Sequence, residues 1–224
     1  MKCYFCGACE NLTRDHIPPI GFFPPPPPPD LIVVPCCEPC NSSYKLDDEA
    51  VRVWFCSPLG TSSAGEWIFK NKALPGTIGG SWRFRNKMLA SMKNTKASSE
   101  AGDAEVIQLS FDRNRTEQFI IRIIKGLLTY HYPDYDYSGA RFDVTFVGQR
   151  VDLREKLQPL LDQLTYDEKG RDVFQYRHGL TESGLSGVWI LAFYHAAIFF
   201  ITHSTNESDD SALRIPLNGN RRLD

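Results

Sequence analysis

"CYFCGACENLTRDHIPP" (residues 3–19) sets a Cys-x-x-Cys pair a few residues ahead of Asp15-His16, and "VPCCEPCN" (34–41) supplies a second pair, Cys37-x-x-Cys40. Two such pairs about 30 residues apart can close one tetrahedral site, because each makes a tight turn that aims two thiolates at a single point. Four soft sulfur ligands select zinc, whose closed shell has no redox chemistry to lose. The expected structural zinc ligands are therefore Cys3, Cys6, Cys37 and Cys40. Cys9 and Cys36 are left over, and on spacing alone Cys36 can stand in for Cys37. A closed metal site contributes folding free energy directly, which a segment of about 50 residues with few core residues needs.

Six of the seven cysteines fall within residues 3–40. An odd set clustered at one end does not suit a secreted disulfide scaffold, so a reducing, cytoplasmic setting is expected. Cys3 follows the first Met too closely for a signal peptide, and the longest apolar run, "VWILAFYHAAIFFI" (188–201), is too short for a membrane span. The net charge of −2 hides its distribution. Residues 1–50 carry 3 cationic and 7 acidic side chains, residues 51–130 carry 12 and 6, and residues 131–224 carry 10 and 14. The middle of the chain is basic.

Working outward from the cysteines, "CNSSYKLDDEAVRVWF" places Asn41 to Ser43 as caps of a helix running from about Tyr44 into the fifties. Pro24 to Pro29 read as a polyproline II spacer, and "LIVV" (31–34) as a short strand. "SWRFRN" (81–86) reads as a strand and "NTKASSEAGD" (94–103) as a mobile loop. "VIQLSF" (106–111) reads as a strand, and "RTEQFIIRIIKGLLTYHY" (115–132) has helical apolar spacing. "RFDVTFV" follows as a strand, "DLREKLQPLLDQL" (152–164) as a helix kinked near Pro159, and three strand-like runs fill 173–204. The last ten residues read as a polar tail. The class expected is α+β, with units at 1–56, 57–104 and 105–224.

The order Cys-x-x-Cys, Asp15-His16, Cys-x-x-Cys-Asn41 and then a helix resembles the HNH endonuclease family in its zinc-stabilised, four-cysteine form. The resemblance covers about residues 3–50 and implies a ββα-metal, treble-clef-like module. It makes His16 the general base, and Asp15 and Asn41 the ligands of a catalytic Mg²⁺ or Mn²⁺. Asp30, ahead of "LIVV", takes the place where the family usually has the Asn that holds the loop bearing the His. Lys45 stands near the position of a basic residue early in the helix, about one residue late.

The chemistry suits these residue types on its own terms. Hydrolysing a phosphodiester needs an activated water and a cation on the oxygen that develops charge. A neutral imidazole suits the first task, and a site with one carboxylate and one amide oxygen suits a hard divalent ion. Residues 67–96 contain seven Lys or Arg and no acid, interleaved with Trp67, Phe69, Trp82 and Phe84. Arg83, Arg85 and Lys87 are the candidate phosphate contacts, for neutralising phosphates while aromatics stack on bases. The expected partner is nucleic acid, DNA foremost, with no membrane. The C-terminal unit leaves room for a homodimer contact or a partner protein. The alternative is a non-catalytic zinc module that binds nucleic acid. His131, His178, His195 and His203 sit at no ligand spacing and are expected in core or surface roles.

Overall fold

Strands β1 (Leu12–Ile17) and β2 (Ile32–Cys37) pair antiparallel, with Asp15 opposite Val34 and His16 opposite Val33. The computed structural model describes residues 1–58, 60–99, 102–148, 158–181 and 183–205, and the chain is mixed α+β. Alternate residues Ile32, Val34 and Cys36 of β2 are buried, the period expected of a strand with one face on a core. Between β1 and β2 the chain makes a short 3₁₀ turn, Ile20–Phe22, then bends through the prolines at residues 25–26 and turns at 29–30. The proline run therefore does not form a straight rod.

Helix α1 (Glu38–Ser43) follows β2 directly and α2 (Lys45–Cys56) comes after Tyr44. Asn41 to Ser43, expected as caps, lie inside α1. Pro39 sits in its first turn, where a fixed φ and a missing N–H cost nothing. The hydroxyls of Ser42 and Ser43 donate back to carbonyls of their own turn, at Glu38 (2.8 Å) and Cys40 (2.8 Å).

The basic middle departs furthest from expectation. Helix α3 (Ser63–Ile68) runs into a wider-wound helix, Phe69–Ile78, and α4 spans Trp82–Ser91 where a strand was expected. Ser81 decides this: its Oγ accepts the Phe84 amide at 3.2 Å and caps α4. The stretch read as a mobile loop is part of a hairpin, β3 (Met92–Ser99) with β4 (Gly102–Leu109), which pairs Lys96 with Glu105.

Helix α5 (Arg113–His131) is capped by Asp112, whose carboxylate accepts the Arg115 amide. The C-terminal strands are β5 (Arg141–Phe146), β6 (Thr165–Lys169), β7 (Phe174–Leu180), β8 (Ser186–Phe193) and β9 (Ala197–Ser204). They form one antiparallel sheet in the order β5-β9-β8-β7-β6. Of the helix expected over 152–164, residues 152–157 lie outside the described residues, and 158–161 make a single helical turn. The expected polar tail also lies outside them.

One core joins the β1–β2 hairpin, α2, α3, α5 and the C-terminal sheet. Phe22 stacks on Phe119 of α5 at 5.3 Å and on Tyr194 at 6.3 Å, and packs against Phe55 of α2 and Phe193 of β8. The Tyr194 hydroxyl donates to the Phe22 carbonyl at 2.7 Å, and Tyr137 donates to the Tyr4 carbonyl at 2.6 Å. Helix α5 approaches β1 so closely at Gly126 that a Cβ there would stand 2.6 Å from the Ile17 side chain. The packing thus runs without interruption across residues 56 and 105, the boundaries drawn from sequence.

Candidate metal centre and adjoining cleft

The first cysteine pair is wound into a turn in which the Gly7 amide donates to the Cys3 carbonyl (2.9 Å) and the Cys3 amide to the Ala8 carbonyl (2.7 Å). The second pair straddles the start of α1. Together they bring the sulfurs of Cys3, Cys6, Cys37 and Cys40 within 4.8 Å of one another, with Cys6 and Cys37 at 3.6 Å. Four thiolates at about 2.3 Å from a tetrahedral ion stand about 3.8 Å apart. The cluster can therefore hold a metal ion of that kind. Burial works against a charged Cys3, but amides of Cys37, Cys6 and Phe5 outweigh it and bring the thiol down to about 6, as a metal ligand requires. Cys36, open as an alternative on spacing, is outside the cluster. It is fully buried, 4.0 Å from Cys3, and burial pushes its thiol well above the ordinary range.

Asp15, His16, Asn41 and Lys45 line one cleft of about 360 Å³ beside this cluster. The local folding that achieves this is simple. Asp15 and His16 are neighbours on β1, and Asn41 is fixed to the same strand from α1. Its amide nitrogen donates to Thr13 Oγ1 at 3.0 Å and to the Arg14 carbonyl at 3.4 Å. Among the described residues no donor reaches its Oδ1. Asp15 is 7% exposed and accepts a 2.8 Å hydrogen bond from Tyr4 on Oδ2.

Asp30 is placed elsewhere. Its carboxylate accepts from Lys169 of β6 at 3.1 Å, and it does not line the cleft. Arg83, Arg85 and Lys87 are exposed along α4, with Lys87 paired to Asp112 at 3.2 Å and Arg83 over the Trp82 ring. Of the four interleaved aromatics, Trp67, Phe69 and Phe84 pack against the core, and Trp82 is 62% exposed.

Two further features belong to the cleft. One is among the acids Asp47, Asp48 and Glu49, which the sequence offers chiefly as solvating the start of the helix and only secondarily as a support to the site. The other is one that sequence reasoning passed over. Asp48, on α2, also lines the cleft and is ion-paired with Arg122 of α5, a guanidinium only 2% exposed and lying over the Tyr44 ring at 4.4 Å. Burial raises the Asp48 carboxyl to about 6, against the pull of Arg122. The sequence signal for Asp48 is its place one turn along α2 from Lys45. Arg122, 74 residues away from Asp48, had none. The second feature is Arg52, a further turn along α2 on the same cleft wall.

Comparison with known proteins gives no match to any family model, curated protein or solved structure. Among the described residues no helix is long and apolar enough to cross a membrane.

Proposed function

We propose that the protein is a metal-dependent endonuclease of the HNH type that hydrolyses phosphodiester bonds in nucleic acid, DNA foremost. What carries this reading is the convergence of Asp15, His16, Asn41 and Lys45 on one cleft beside a four-cysteine cluster. On this reading the β1–β2 hairpin and the helix after it make a ββα-metal module, and zinc in the cluster holds its two ends together.

His16 takes the proton of the attacking water. Asp15 Oδ1 and Asn41 Oδ1 are the oxygens that would hold Mg²⁺ or Mn²⁺, which supplies charge stabilisation at the leaving oxygen. Lys45 offers its ammonium to a phosphate oxygen. The exposed cations of α4 would neutralise backbone phosphates away from the cut.

A second reading, a zinc module that binds nucleic acid without cutting it, draws support from Asp15. Its carboxylate is turned into the protein and already shared with Tyr4. Incubation of supercoiled plasmid with Mg²⁺ or Mn²⁺ separates the two. The wild type should nick or linearise it, and His16→Ala should lose roughly 10²–10⁴-fold in rate with unchanged thermal stability. An inert wild type that still retards DNA would support the second reading.

A further inference from the structure

The charges lining the cleft are not equally available. Asp15 is engaged by Tyr4, and Asp48 by Arg122, both from within the protein. Glu49 is the remaining carboxylate of the lining. On the other side stand Arg14, Lys45 and Arg52, and among the described residues none of the three is in an ion pair with a carboxylate.

Arg52 is the most firmly placed of these cations. Its guanidinium lies against the backbone of the cleft wall at Gly21, where a Cβ would stand 2.8 Å from Nη1, so a larger residue there would displace it. Nη2 donates to Thr77 Oγ1 at 3.4 Å, and Nε has no acceptor. Behind it Lys72 donates to the carbonyls of Gly21 (3.2 Å) and Phe23 (3.0 Å). Burial and the neighbouring Arg52 both disfavour the charge on Lys72. Two cations are thus held close together at a partly buried wall, with carbonyls and a hydroxyl for partners and, among the described residues, no carboxylate paired to either. Such a pair is repulsive unless an anion completes it. Arginine is suited to that anion's being a phosphate, whose oxygens match its fork of donors.

We propose that Arg52, backed by Lys72 and Thr77, is a phosphate subsite in the cleft wall and takes a backbone phosphate of nucleic acid flanking the one attacked. The assignment to a nucleic-acid backbone rests on the nuclease reading of the cleft. The positive charge itself does not.

Phenylglyoxal modification of arginines in the wild-type protein, mapped by mass spectrometry, tests it without a folding risk. Short duplex DNA should protect Arg52 severalfold, while exposed Arg171 reacts at the same rate with or without DNA. Protection by inorganic phosphate but not by DNA would overturn the backbone assignment in favour of a free anion. Protection by neither would overturn the subsite. A second measurement follows DNA affinity against salt for Arg52→Gln and Arg52→Lys. Loss of the charge should flatten the slope of log K against log salt by about 0.9, and the lysine variant should keep the slope but bind more weakly. Unchanged affinity and slope in both variants would also overturn the proposal. A wild type that cuts no DNA while Arg52 is protected would remove the nuclease reading and leave the subsite standing. A wild type that cuts DNA while Arg52 reacts freely would do the reverse.

Discussion

At the scale of single residues the cysteines carry the most decided expectation. Cys6→Ser and Cys40→Ser should each lose bound metal and melt at lower temperature, because three thiolates leave the ion exposed to exchange. Cys36→Ser should keep a full complement of metal, since Cys36 stands outside the four-sulfur group. Metal analysis of the purified variants checks this, and full metal content in Cys6→Ser would contradict it. The cluster was legible because Cys-x-x-Cys turns are local, and the choice between Cys36 and Cys37 was not, because only strand pairing fixes it. In β2 the two side chains face opposite ways. Cys36 falls on the buried side with Ile32 and Val34, which leaves Cys37 to the cluster.

At the scale of elements, α5 reaches further than its sequence spacing suggests. Its periodicity was plain in the sequence, but not that its Arg122 would reach under the cleft to Asp48. Removing a buried partner leaves an uncompensated charge, so Arg122→Ala should cost about 3–5 kcal/mol. Replacing both partners by apolar groups, Arg122→Met with Asp48→Leu, should recover most of that. Urea denaturation of the single and double variants decides; a single variant within about 1 kcal/mol of wild type would mean the pair is not held as described. Helix α4 gives the opposite lesson. "WRFRN" alternates aromatic and basic residues as a strand does, yet no residue of α4 is fully buried, and Phe84 and Met88 pack only partly against the core. With so little of the helix packed, the Ser81 cap decides the conformation. The end of β4 was legible in "VIQLSF", but β3 was not, because its Ser, Lys, Thr and Asn residues carry loop composition and only the partner strand makes them a ladder.

For the whole molecule, the seam between α5 and the C-terminal sheet sets the response to acid. His178 and His203, both nearly inaccessible, are held neutral down to about 4, by burial and for His178 also by nearby His131. Tyr132 shares a hydrogen bond with His178, and the Trp189 indole donates to His203. Between about 4 and the ordinary imidazole value of 6.5 the unfolded chain binds protons that the folded chain refuses. Stability therefore falls as pH drops through that window, by roughly 3 kcal/mol for each histidine at full effect. Thermal melts across the window should show a steep fall, shallower in His203→Gln; a level profile in the wild type would contradict the assignment. These roles were legible only as burial among aromatics. That the sheet would share its core with the first 56 residues was not legible at all, since no local pattern announces which distant surface covers another.

The bond from Tyr194 to the Phe22 carbonyl spans 172 residues, and this gives the fold a schedule. A ribosome adding about 5–20 residues per second delivers Tyr194 on the order of ten to thirty seconds after Phe22. For the later part of that interval all four cysteines of the cluster have been made, while the cleft wall at Pro19–Phe22 still lacks the β8–β9 turn that covers it. The thiols that could hold a metal ion are therefore available before the cleft is complete. On the nuclease reading, a nascent chain could take up its structural ion before it has a finished cleft to cut with.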